Sequence, residues 1–199
     1  SDSASAGVPL VDSVTKKAVA GLAVSYASEG RTFSFTPQLI YANAYDALQG
    51  TSADIFLAAG TASFSIPLAN DFTVYGQGAF QYTNTQLLPG DLLFQIGGFD
   101  SVRGYPSDGV GGDSGFFIQN ELHWLKSDQV GGIDLYALAD FGQVYSTFPA
   151  ITTMASIGAG WTATLSDRAT LDVSAAIPII PAVAGQPSLA AYAKLTGRL

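Results

Sequence analysis

The chain has 199 residues, no cysteine, a net charge of −8, and only 12% charged against 48% hydrophobic residues. The absence of cysteine excludes a disulfide framework and a thiolate metal site, and the acidic balance leaves no basic stripe of the kind a nucleic-acid partner needs. No run of ~18 apolar residues could cross a bilayer as a helix, so a chain this poor in charge and rich in glycine and aromatics points to the other spanning structure, a closed β-barrel whose backbone polar groups are satisfied between strands.

In chain order, residues 1–16 read as a tail or loop, without the basic-then-apolar pattern of a signal peptide. Nine strands are expected after it: Lys17–Tyr26, Thr32–Tyr45, Asp54–Leu68, Phe72–Tyr82, Gly115–Trp124, Ile133–Tyr145, Met154–Leu165, Ala169–Pro178 and Leu189–Leu199. Alternation carries these assignments. From Phe72 to Tyr82 one parity holds Phe72, Val74 and Phe80, the other Thr73, Gln77 and Gln81. Trp161 and Leu165 face away from Thr162 and Thr164; Leu171 and Val173 face away from Thr170 and Asp172. A soluble sandwich alternates too, but here the polar parity is small and nearly uncharged, as a barrel lumen allows. Short connections such as "PLAND" and "SDR" take turns with longer ones such as "IIPAVAGQP", the rhythm of periplasmic turns and extracellular loops. The fold class is therefore an all-β, antiparallel transmembrane β-barrel, with residues 17–199 as barrel and 83–113 as an inserted loop. Nine strands leave the first without a neighbour on one side. Either a further strand lies near Gly7–Val14, or the chain is part of a larger barrel.

The end of the loop and the strand after it read "GGFDSVRGYPSDGVGGDSGFFIQNELHW", Gly97 to Trp124. This stretch resembles the signature of two-partner-secretion outer-membrane transporters, the haemolysin-activation/secretion proteins, whose superfamily also holds the barrel-assembly insertases. Gly97, Gly98, Ser101, Val102, Arg103, Gly104 and Tyr105 match the family's loop tip. Gly112–Gly115 and then Asn120, Glu121, Leu122 and Trp124 match its continuation. Asp140 and Gly142 within "LADFG" match a following x-D-x-G element. The resemblance implies a sixteen-stranded barrel of the bacterial outer membrane, of which these are the last nine strands, preceded by periplasmic domains. It implies that the loop folds into the lumen and that its arginine meets acids on the inner wall. It implies export of a secreted polypeptide of the adhesin or cytolysin class, contact with outer-membrane lipid and lipopolysaccharide, and insertion by the barrel-assembly machinery. An insertase role, or a shortened passive barrel without export, are the alternative functions.

A loop of about thirty residues is well beyond the ~12–15 usual for an unstructured connection, and it needs an anchor. Parity turns Glu121 and Asp140 toward the lumen on adjacent expected strands, ~4.8 Å apart. One guanidinium fork could reach both; a solvated turn arginine is the plainer reading that parity alone leaves open. The tetrapeptide Gly112–Gly115, GDSG, suggests a serine protease, but such a site needs a histidine placed as base. The single histidine, His123, lies nine residues after Ser114, on the expected strand that follows it. No enzyme activity, metal or cofactor is expected.

Overall fold

The computed structural model describes residues 2–5, 8–46, 51–69, 71–107, 109–124, 131–146 and 151–197. Its strands are β1 (Asp2–Ser5), β2 (Val8–Gly21), β3 (Val24–Ser28), β4 (Arg31–Asp46), β5 (Thr51–Pro67), β6 (Thr73–Tyr82), β7 (Phe94–Ile96), β8 (Val110–Gly112), β9 (Ser114–Trp124), β10 (Ile133–Tyr145), β11 (Ile151–Ser166), β12 (Ala169–Pro178) and β13 (Ala190–Gly197). One antiparallel sheet runs β1-β2-β4-β5-β6-β9-β10-β11-β12-β13, with β3 also on β4. Among the described residues no pairing joins β13 back to the first strands. No described helix is long and apolar enough to cross a membrane.

The nine expected strands are present, with two corrections. The first is split. β2 and β3 face β4 in one unbroken register, Gly21↔Gln38 and then Val24↔Phe35, and the break falls at Leu22 and Ala23. Leu22 N–H donates to Pro37 O at 3.1 Å, but Pro37 has no N–H to return, so the ladder lapses over these two residues. The second concerns residues 1–16. Residues 2–5 and 8–16 are strand, not tail: β2 extends along β4 as far as Ser13↔Asp46, and β1 folds back on β2 from Ser5↔Val8 to Asp2↔Asp12. Too little alternation is carried by "VPLVDSVTKK" to announce a strand; the long edge of β4 supplies one.

Register assigns the faces. Val74, Phe80, Trp161, Leu171 and Val173 share the parity that points away from the loop. Phe72, just before β6, stacks on outward Trp124 with centroids 6.2 Å apart. Large apolar residues stay exposed on this side, among them Leu39, Phe56, Leu135 and Ile157, as a lipid-facing wall requires.

Dry packing lies on the opposite face, between wall and loop. Ala42, Ile55 and Leu57 of β4 and β5 bury Leu88 and Leu92 of the loop. Val144 and Met154 of β10 and β11 bury Ile96, Val102 and Tyr105. The loop 83–113 therefore lies along the inner wall, with a 3-10 turn at Gly90–Leu92 and a β7–β8 hairpin running Phe94↔Gly112 to Ile96↔Val110.

Candidate functional site

The GDSG segment closes the base of the loop. Asp113 Oδ1 accepts the Leu88 N–H at 2.8 Å, and Ser114 Oγ accepts from Thr83 N–H at 3.0 Å. Thr83 Oγ1 in turn donates to Phe56 O at 2.8 Å. Ser114 and His123 stand on opposite parities of β9, nine residues and roughly 30 Å apart at the strand rise. His123 is no base for that serine.

Beyond the hairpin the chain reverses at Gly97 (φ +119°) and Gly98 (φ +85°). A Cβ on Gly97 would lie 2.5 Å from Pro106 O, so both the backbone angle and the space call for glycine. Ser101 Oγ ties the turn, accepting from Gly97 N–H at 2.7 Å and donating to Gly97 O at 3.0 Å.

Arg103 follows, 2% exposed. Its backbone N–H and its Nε both donate to Asp140 Oδ2, at 3.0 and 2.8 Å, and Nη2 donates to Asp140 Oδ1 at 2.8 Å. Nη1 donates to Glu121 Oε1. The Asp140 carboxylate is thus held by a bidentate fork plus a main-chain donor, the strong form of arginine–carboxylate recognition. Adjacent inward positions of β9 and β10 bring the two acids together, since Asp140 pairs Gln119 and Leu138 pairs Glu121.

The neighbours of Arg103 each meet a different strand. Val102 is fully buried, and a Cβ on Gly142 would lie 2.7 Å from its Cγ2; glycine at 142 makes room for it. Gly104 has φ +93° and approaches Pro178, where a Cβ would lie 3.1 Å from the backbone nitrogen. Tyr105 is buried with its hydroxyl between Ala155 and Ile180. Carbonyl acceptors stand at 2.9 and 2.8 Å, and the same residues' N–H groups donate to it from 3.2 and 3.3 Å.

Three residues of this site carried no expected role. Gln119 Nε2 donates to Phe99 O at 2.8 Å. His123 bridges two carboxylates, Nε2 to Glu121 Oε2 at 2.9 Å and Nδ1 to Asp134 Oδ2 at 2.7 Å. Tyr136 stacks on one side of its ring and Tyr75 meets the other edge-on. Tyr192 of β13 accepts the Gly104 N–H at 2.8 Å. Parity sets Gln119 and His123 beside Glu121, but it gives a face and not a partner. Among the described residues no group of acids and histidine is arranged to hold a metal ion.

Comparison with known proteins agrees with this architecture. The family model for haemolysin secretion/activation protein ShlB/FhaC/HecB matches residues 6–163. A curated relative, the outer membrane transporter CdiB of Dickeya dadantii (strain 3937), is 30% identical over 102 residues, covering 50% of this chain and 18% of that protein. The solved structure of CdiB from Acinetobacter baumannii superposes with a TM-score of 0.69 at 17% identity, covering 97% of this chain and 36% of that one. The chain thus spans less than a fifth of the curated relative and about a third of the solved one.

Proposed function

Because the chain belongs to the haemolysin secretion/activation family ShlB/FhaC/HecB of the bacterial outer membrane, we propose that it forms part of the wall of a pore that exports a secreted polypeptide. Residues 17–199 are the barrel portion in this reading, and the loop 83–113 is the movable element that occupies the lumen. Val102, Arg103, Gly104 and Tyr105 seat it; Glu121, Asp140 and Gly142 receive it. The partner is an unfolded chain of the adhesin or cytolysin class, and lipopolysaccharide and the barrel-assembly machinery are its surroundings and its route into the membrane.

The observation that carries the reading is the Arg103 guanidinium shared between carboxylates of two adjacent strands. A barrel wall has no need of it, because strand ladders hold the sheet. The pairing holds the loop directly, which is what a gate requires. The test is secretion by the intact protein carrying Arg103→Ala. Loss of secretion with a heat-resistant barrel still in the outer membrane supports the reading. Unchanged secretion overturns it, and improved folding of other outer-membrane proteins by the wild type, with no secreted partner, would move the assignment to an insertase.

A further inference from the structure

Arg103 explains why the loop tip lies on β9 and β10, but it does not explain the tip's second attachment. Four contacts reach across to the inner face of β13. The Gly104 N–H donates to Tyr192 Oη at 2.8 Å. The Tyr192 ring packs on Phe99 with centroids 5.6 Å apart. Lys194 Nζ stands 5.4 Å from the centre of the same Phe99 ring. Tyr192 Oη also lies 3.5 Å from Tyr105 O. Tyr192 and Lys194 sit two apart on one strand, so both point inward, and their partners across the ladder are Ser174 and Asp172 of β12. The Phe99 carbonyl is held meanwhile by Gln119 of β9. A single turn of loop, 99–105, is therefore attached at once to β9, β10 and β13.

The position of β13 gives this span its consequence. Its ladder to β12 runs from Ala169↔Gly197 to Ala176↔Ala190, and β11 and β12 stand between β10 and β13 in the sheet. Contacts that bridge from β9 and β10 to β13 therefore tie together strands that no ladder joins.

We propose that Tyr192 and Lys194 are positioning residues that dock the loop tip onto β13, so that the tip's seating and the order of β13 are coupled. The coupling is reciprocal, as any free energy shared by two elements must be: unseating the tip loosens β13, and removing the β13 contacts loosens the tip. Tyr192 supplies a hydrogen-bond acceptor for a backbone N–H fixed at positive φ, and Lys194 supplies a cation to the face of Phe99, an attraction that grows where water is excluded. The inference rests on the tip being seated in the lumen, as proposed above.

The experiment is hydrogen–deuterium exchange on the intact protein in nanodiscs, with protease protection of 97–107 as an independent report that the tip is seated. In Tyr192→Phe the ring contact with Phe99 persists and only the acceptor is lost. Exchange in the segment containing Gly104 should then rise about fivefold, the factor that corresponds to losing one net hydrogen bond. Lys194→Gln should add to this, and Lys194→Arg should restore it. Arg103→Ala, which touches nothing on β13, should raise exchange across 190–197 while β5 and β6 stay protected. If 97–107 resists protease in the wild type but Arg103→Ala leaves β13 exchange unchanged, or Tyr192→Phe leaves the tip unchanged, the coupling is wrong and the seated loop stands. If 97–107 is cleaved freely in the wild type, the seated loop itself is wrong.

Discussion

Asp140 has a side chain with no solvent exposure and depends on Arg103 for three of its hydrogen bonds. Arg103→Ala keeps the backbone donor but removes the charge and the fork. A buried carboxylate left this way costs about 3–5 kcal/mol, and release of the tip relieves that cost at once by letting water reach the acid. The penalty should therefore appear as an unseated loop, read by protease cleavage within 97–107, and not as barrel unfolding. Arg103→Lys should rescue little, because an ammonium cannot span both carboxylates with fork geometry. Gly142→Ala tests the same seat from the wall side. The new methyl would meet Val102 Cγ2 at 2.7 Å, an overpacking worth about 1–3 kcal/mol, and Val102→Ala in the same chain should recover most of it, since contacting sites couple. If the double variant is no better seated than Gly142→Ala alone, measured by the same cleavage, the tight contact is not what glycine is there to relieve. The inward placement of Glu121 and Asp140 is legible in the sequence because period-two alternation fixes which side chains share a face. The contacts of His123 with Asp134 and of Tyr192 with the tip are not, because those partners come from a neighbouring strand or from the return of a distant loop, which no local period encodes.

At the level of elements, the loop is two limbs with different attachments. The tip adds an ion pair to its apolar contacts and bridges strands, whereas the first limb rests chiefly on apolar contact: Leu88 and Leu92 fill a patch of Ala42, Ile55 and Leu57. Lys17 adds a bond to Asp91 O and an ion pair with Asp91 Oδ2, each at 3.1 Å. That pair is exposed and contributes about 0–1 kcal/mol at most, so the leucines carry the limb. Leu92→Ala should cost about 2–5 kcal/mol of local docking and speed proteolysis within 84–93 while 97–107 remains protected. Simultaneous release of both stretches would show that the loop moves as one body. Length and glycine content mark the loop in the sequence, but its β7–β8 hairpin is hidden there, since "FQI" and "VGG" are too short to show a period. The strand within residues 1–16 is announced only by the odd strand count, which calls for one near Gly7–Val14; the neighbouring β4 decides the conformation and the local residues do not. Pro37 is visible as a strand breaker; that it interrupts only the pairing at Leu22 and Ala23 depends on which way its missing N–H points.

Across the whole molecule the two faces of one sheet obey opposite rules, and this gives the sharpest test of a membrane wall. Outward Ile157 lies near the middle of β11, is 52% exposed, and pairs with outward Ala139 and Ile177. In water such exposure would be a liability, and replacing it with a charge would be harmless or helpful. In hydrocarbon the sign reverses: an arginine at the midplane of a barrel's lipid face costs about 2–4 kcal/mol. Inward Ser63 is the control. It is exposed on the face that carries the loop, beside Gln77 and Ser34 in register, where a long cation can stay hydrated. Ile157→Arg should therefore lower the fraction of heat-resistant protein refolded into bilayers, and Ser63→Arg should leave it near the wild type. The same comparison in detergent should shrink the difference, because a micelle deforms around a buried charge more readily than a bilayer. Equal tolerance of both arginines in bilayers would mean that the outward face is not in lipid, and that its aromatic and aliphatic residues cover some other partner.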